Sequence, residues 1–289
     1  MGLRLKFNIV LVLVFFLRFL VAGWISYELL QRNARGEIVR NARVMMEAAL
    51  AIRGFTSKEV RPQLEPLMVQ TFLPQSVPAY AATETMGALR KNYPEYGYKE
   101  ATLNPTNPRN RASDWEVDIV TAFRNHTDNP EIVGERETPT GRSMFVARPI
   151  RVEPGCLVCH STPAVAPKSM VALYGEVNGF GWKLNEVIGA QVVSVPTALP
   201  IHNANRAFVT FMGSLAAVFL FVFIALNVML NSMIVRPIRD MARAADEVST
   251  GNFDLPEFQA KAQDEIGVLG ASFNRMRRSL EKAMKMLEG

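Results

Sequence analysis

Hydrophobic positions fall into three regimes along the chain. Two stretches are apolar almost without a break. "FNIVLVLVFFLRFLVAGWIS" (7–26) is interrupted by Asn8 and Arg18, and no charged residue lies between Arg206 and Arg236. A bilayer core asks for about 20 apolar residues in a helix. The pattern therefore predicts transmembrane helices at 7–27 and 207–231. The C-terminal part is different. Ile234, Ile238, Met241, Ala245 and Val248 step by fours and threes, and so do Ile266, Leu269, Phe273, Met276, Leu280, Ala283 and Leu287. That is the seam of two heptad helices joined by a connector containing Gly251. Neither helix can bury its seam alone. Residues 232–289 are therefore expected to form a four-helix bundle in a homodimer.

Residues 28–206 show mixed periodicity. Leu29, Ile38, Val44, Met45, Ala48, Ala49 and Ile52 mark one long helix over 28–60, which Pro62 and Pro66 bring to an end. In "DWEVDIVTAFRN" (114–125), Trp115, Ile119, Ala122 and Phe123 share a helical face, with Ser113 or Asp114 as cap. "SMFVARPI" (143–150) and "NEVIGAQVVSVP" (185–196) read as strands. The expectation is an α+β domain between two membrane spans.

Charge adds orientation. Arg4 and Lys6 precede the first span, and Arg236, Arg239 and Arg243 follow the second. The positive-inside rule puts both ends in the cytoplasm and residues 28–206 in the periplasm of a bacterial inner-membrane protein, with residues 1–6 as a short cytoplasmic lead. Arg32 and Arg35 oppose this without reversing it. Trp24 and Tyr27 suit an uncleaved anchor at the outer interface better than a signal-peptide cleavage site. Arg18, near mid-span, either snorkels or faces a helix bundle. The chain carries 32 Lys and Arg against 27 Asp and Glu, for a net charge of +5. These are scattered, so no nucleic-acid partner is implied.

Chemistry concentrates in "EPGCLVCHSTPAVAP" (153–167). Cys156 and Cys159 are the only two cysteines, and His160 is one of three histidines. A structural zinc site needs four ligands, and the motif offers three. A thioredoxin-like pair or plain disulfide fits the following histidine and prolines poorly. Covalent haem c fits better. Each thiol would take one vinyl group, and His160 would be the proximal ligand of the iron. The periplasmic placement and the lack of further cysteines favour it, at one haem per chain. The sixth ligand stays open among His126, Met45, Met46, Met68, Met86 and an unfilled position. For each methionine, core filling is the commoner use. Arg148 and Arg151 flank the motif and are candidates for pairing with haem propionates. No Ser-His-Asp set, phosphate loop or carboxylate pair suggests an enzyme.

Two resemblances extend this reading. Pro237, Gly251 and "DEIGVLGASFNRM" (264–276) resemble a HAMP domain over about 234–287. That implies relay of transmembrane-helix movement in a homodimeric receptor. "QSVPAYAA", "ATLNPTNPRNRASDWE", "ARPIRVEPGCLVCHSTPAVAP" and "YGEVNGFGWKLNEVIGAQVVSVP" resemble the Tll-like c-type haem sensor domain over roughly 40–197. That resemblance implies a PAS-like fold and carries the thioether roles to Cys156 and Cys159 and the axial role to His160. The expected function is a membrane receptor sensing redox state or a diatomic gas. With no module after the second HAMP helix, the expectation is that its output acts in trans on a cytoplasmic partner or that the protein is truncated. The alternative is an anchored electron-transfer cytochrome.

Overall fold

The computed structural model describes residues 2–138, 141–258 and 264–288. In chain order, helix α1 (Leu3–Phe55) passes through a π turn (Thr56–Val60) into α2 (Arg61–Leu64). Two 3₁₀ turns (Glu65–Val69, Pro74–Ser76) lead to α3 (Pro78–Leu89) and β1 (Gly97–Thr102). A third (Pro108–Asn110) precedes α4 (Asp114–Asn125), β2 (Ile132–Thr138) and β3 (Gly141–Arg151). Then come α5 (Pro154–His160), α6 (Lys168–Tyr174), β4 (Val187–Pro196) and α7 (Ala198–Leu230). A π turn (Asn231–Val235), α8 (Arg236–Ser249) and α9 (Glu265–Glu288) complete the chain. These elements divide into two units, Tyr27–Ala207 and Met1–Ser26 with Phe208–Gly289.

The first unit is built on an antiparallel sheet of order β1-β4-β3-β2. Nine of the ten residues from Val187 to Pro196 pair with β3, six of them (189–194) pair with β1 as well, and β4 is buried along nearly its whole length. That explains its apolar run, since a strand covered on both faces needs no polar alternation. Val193, Val195 and Val146 point to one face. There they meet Ile38, Ala42, Met46 and Ala49 of α1, with Ala82 and Met86 of α3. Val192, Ala190, Phe145 and Ala147 point to the other, against Ile119, Val120 and Phe123 of α4. The strand period of 2 thus feeds two cores, and the α1 stripe has the helical period. Its small residues bring α1 close to the sheet.

Local rules fix the ends of these elements. The Glu116 carboxylate accepts from the Ser113 backbone N–H at 2.8 Å, closing a capping box on α4. The same carboxylate takes Lys99 Nζ at 2.6 Å, which pins α4 to β1. Gly189 lies so close under β1 that a Cβ there would come within 2.3 Å of the Ala101 carbonyl oxygen.

In the second unit, the apolar parts of α1 and α7 are long and apolar enough to cross a membrane by length and composition. They run antiparallel, with Phe15 stacked on Phe219 at 4.9 Å between centroids and the Met212 methyl 3.2 Å from where a Gly23 Cβ would sit. Arg18 is exposed on α1. Gly251, at φ 91°, closes α8, and its N–H donates to the Val248 carbonyl. Asp264 Oδ1 caps α9 by accepting from Gly267 N–H at 2.9 Å. The connector is tied to α9 by Asn274, whose side chain bonds both the N–H and the carbonyl of Phe258. Within one chain the heptad seam is only partly covered. Met241 and Val248 are buried, but Leu269 and Met276 keep about half their surface, at 52% and 51%. The side chain of Leu287, last in the expected seam, lies outside the described residues.

Candidate functional site

Cys156, Cys159 and His160 sit on α5 rather than in the loop that the proline- and glycine-rich sequence predicts. Pro154 takes a first-turn position, where its missing N–H costs nothing, and Glu153 serves as N-cap. A helical turn brings the two thiols, three residues apart, to one face. Both are free and half-buried. They border a cavity of about 440 Å³ within the first unit. Its walls come from the end of α1 and its π turn, the 3₁₀ turns, β1, the 105–110 segment, α5 and α6.

His160 is held from behind. Its Nδ1 lies 2.7 Å from the Gly179 carbonyl oxygen, with Thr106 Oγ1 further off at 3.4 Å. A carbonyl can only accept, so Nδ1 carries the ring proton and Nε2 keeps its lone pair. Trp182 stacks on the imidazole at 3.9 Å between centroids and 16° between planes. The Trp182 N–H donates to the His160 carbonyl and the Gly181 N–H to the Ser161 carbonyl. Glycine is required at 179, where φ is 81° and a Cβ would fall 1.9 Å from Thr106 Oγ1. Burial lowers the imidazole pKa and outweighs the opposing bond to Gly179, which favours the neutral ring. Burial likewise raises the Cys159 thiol, with Arg61 pulling the other way.

The cationic groups differ from those that the motif's neighbours suggest. Arg148 pairs with Glu47 at 2.6 Å and Glu131 at 3.1 Å, and Arg151 donates to the Thr127 carbonyl. Neither lines the cavity. Arg53, Arg61 and Arg109 do. Arg61 lies beside α5, its Nη1 4.0 Å from where a Gly155 Cβ would be. Arg109 pairs with Glu84 at 2.5 Å and covers the Tyr80 ring. Arg53 Nη1 meets the buried Glu100 at 2.5 Å, and Tyr98 Oη donates to the other Glu100 oxygen at 2.7 Å. Burial works against the Arg53 charge, yet Glu100 holds its pKa above the ordinary value. These arginines lie about 50 to 100 residues before the motif. Only the tertiary fold brings them to it.

Of the candidate ligands, Met68 borders the cavity. Met46 and Met86 are buried in the α1–α3 core, and Met45 packs against it. His126 is exposed at the end of α4. Met170 lines the cavity as well. It is inconspicuous in the sequence because it follows the motif, and a methionine in an apolar helix looks like filler.

A family model described as Tll0287-like matches residues 31–196. The chain belongs to the Tll0287-like family. A HAMP domain model matches residues 229–282. The Tll0287-like domain is thus a mixed α/β sensor domain flanked by two long apolar helices and followed by a helical HAMP region, which makes the chain a membrane sensor. Curated relatives include the sensor histidine kinase WalK of Bacillus subtilis, 31% identical over 123 residues, or 43% of this chain and 20% of that protein. They also include the heme sensor protein HssS of Staphylococcus aureus, 35% identical over 86 residues, or 30% and 19%. The chain spans about a fifth of the length of these relatives. Among solved structures, the cyanobacterial heme-protein Tll0287 aligns at 16% identity and TM-score 0.44, over 55% of this chain and 95% of that one. The lack of catalytic motifs in the sequence predicts no enzyme role; the relatives overturn that expectation, because they include a histidine kinase, which is an enzyme.

Proposed function

We propose that the chain is the sensing and relay part of a two-span inner-membrane receptor that carries one covalent haem c in its periplasmic domain. The observation that carries this reading is the state of His160. Its Nδ1 proton is engaged by Gly179, its plane is fixed by Trp182, and its Nε2 lone pair is left unused on the same short helix as two free thiols. This is how a metal-binding imidazole is prepared, with the outer nitrogen bonded so that the inner one is oriented and more basic. Cys156 and Cys159 would form the thioethers and His160 would bind the iron. Once bound, the haem supplies an iron that changes charge or takes a diatomic ligand. The protein's own part is to hold His160 neutral, keep the ring from turning, and shield the cavity with Phe72, Met170, Ile188 and Trp182.

Relay would use β4. It lines both cores and ends at Pro196, two residues before α7 begins at Ala198. The half-covered HAMP seams support a homodimer in which two packings of the four-helix bundle are close in energy. The relatives point to a histidine-kinase output acted on by this bundle in the cytoplasm. An electron-transfer cytochrome would leave the HAMP helices without a role.

Expression with a cytochrome c maturation system, followed by a pyridine haemochrome spectrum and a haem-stained denaturing gel, tests this reading. One covalent haem per chain, lost in Cys156→Ala/Cys159→Ala, is the expected result. Absence of covalent haem under working maturation would remove it.

A further inference from the structure

We propose that the thioether of Met68 is the second axial ligand of the iron, opposite His160; this rests on the haem reading above. A sixth ligand must come from the cavity wall, and few side chains there can serve. The chain has no third cysteine. His126 and His202 are exposed and do not border the cavity. Among the lining phenols, Tyr174 is set edge-on to Phe72 at 5.8 Å, and Tyr80 lies beneath the Arg109 guanidinium at 5.1 Å. The two lining thioethers, Met68 and Met170, remain.

Two features single out Met68. Its backbone is fixed, because the Ser169 hydroxyl of α6 donates to the Met68 carbonyl at 2.8 Å. Its sulfur has one polar partner, a hydroxyl that also has a second acceptor. The Ser76 hydroxyl lies 2.9 Å from Met68 Sδ and 2.7 Å from the Leu73 carbonyl oxygen. A hydroxyl has one hydrogen to give. The Leu73 carbonyl is the closer and stronger acceptor. Sδ can therefore turn to a metal without stranding a buried donor, which would otherwise oppose the move. The backbone stays anchored, and a flexible unbranched side chain carries the sulfur.

This assignment deepens the function. Methionine with histidine raises the potential of a haem iron. A filled sixth position also excludes diatomic ligands unless the methionine leaves. The stimulus is then electron transfer rather than gas binding.

The test uses the full chain, matured with haem and solubilised in detergent, with haem content checked by pyridine haemochrome in each variant. The ferric protein is expected to show a methionine-to-iron charge-transfer band in the near infrared, and the ferrous protein to resist carbon monoxide. Met68→Leu, which keeps the shape, should lose the band and bind carbon monoxide at unchanged haem content. Met68→His should resist carbon monoxide without the band. Met170→Leu and Ser76→Ala should keep the band. A haem-loaded wild type without the band, a band that survives Met68→Leu, or one lost in Met170→Leu overturns the assignment. Absence of covalent haem would instead remove the reading beneath it.

Discussion

At the scale of single residues, the cavity wall carries an expensive arrangement. Arg53, Glu100 and Tyr98 are largely withdrawn from water and satisfy one another. Removing one partner of a buried pair strands the other charge. Glu100→Ala should therefore lower unfolding free energy by about 3 kcal/mol, the low end for such a break, because Arg53 keeps 24% of its side chain exposed. Replacing both in Arg53→Met/Glu100→Leu should return most of that loss in a urea-denaturation double-mutant cycle. If the single and double variants lose equally, the pair is not what Glu100 contributes. Gly179→Ala should act differently. It strains a positive-φ position at about 1–3 kcal/mol and pushes on Thr106. Lower haem incorporation at a small change in sheet stability is expected, measured by haem stain and thermal melt together.

At the scale of elements, what the sequence disclosed depended on how local the cause was. The α4 face and its Ser113 cap were legible because a helix period and a capping box lie within a few residues. So were the heart of β3 and of β4, as β-branched runs. β1 and β2 were not legible. β1 reads "GYKEAT", and its Glu100 and Lys99 look like solvent-facing residues until Arg53 and Glu116 meet them. β2 carries Glu135, Arg136 and Glu137 and owes its place to pairing with β3. The helical setting of Cys156–His160 was hidden by Pro154 and Gly155, which read as loop but suit a first turn. The packing makes a quantitative claim. Phe123 is fully buried between α4 and the sheet, so Phe123→Ala should cost about 3–5 kcal/mol in a urea melt. A loss under 1 kcal/mol would mean that α4 is not integral to the core.

At the scale of the whole molecule, the heptad seams and the two apolar helices were the clearest features of the sequence. Both follow from composition repeated over many residues. The homodimeric four-helix bundle that these seams lead one to expect is a proposal. The half-exposed Leu269, Met276 and Leu280 supply the test. In membranes, Leu280→Cys should form an intermolecular disulfide under mild oxidation, and a cysteine on the opposite face, at Arg278, should not. Locking the bundle this way should also shift the haem potential if the units are coupled, because linkage runs in both directions.

The segment from Gly175 to Glu186 has a consequence for how the site fails. It holds no helix or strand and bends through glycines at 175, 179 and 181 with positive φ. Val177 and Leu184 face outward, at 86% and 53% exposure. Its attachment is largely the few hydrogen bonds to residues 152, 160 and 161 and the Trp182 stack. Opening it breaks few hydrogen bonds and uncovers two part-buried aromatics, Phe180 and Trp182, while leaving both sheet cores intact, so it should belong to a cooperative unit of lower free energy than the sheet. Native-state hydrogen exchange should then find the Gly181 and Trp182 amides exchanging by local opening, at denaturant levels where β4 amides still await global unfolding. The imidazole would lose its support while the fold around it stands, and the lifetime of the site would be set by this one strap.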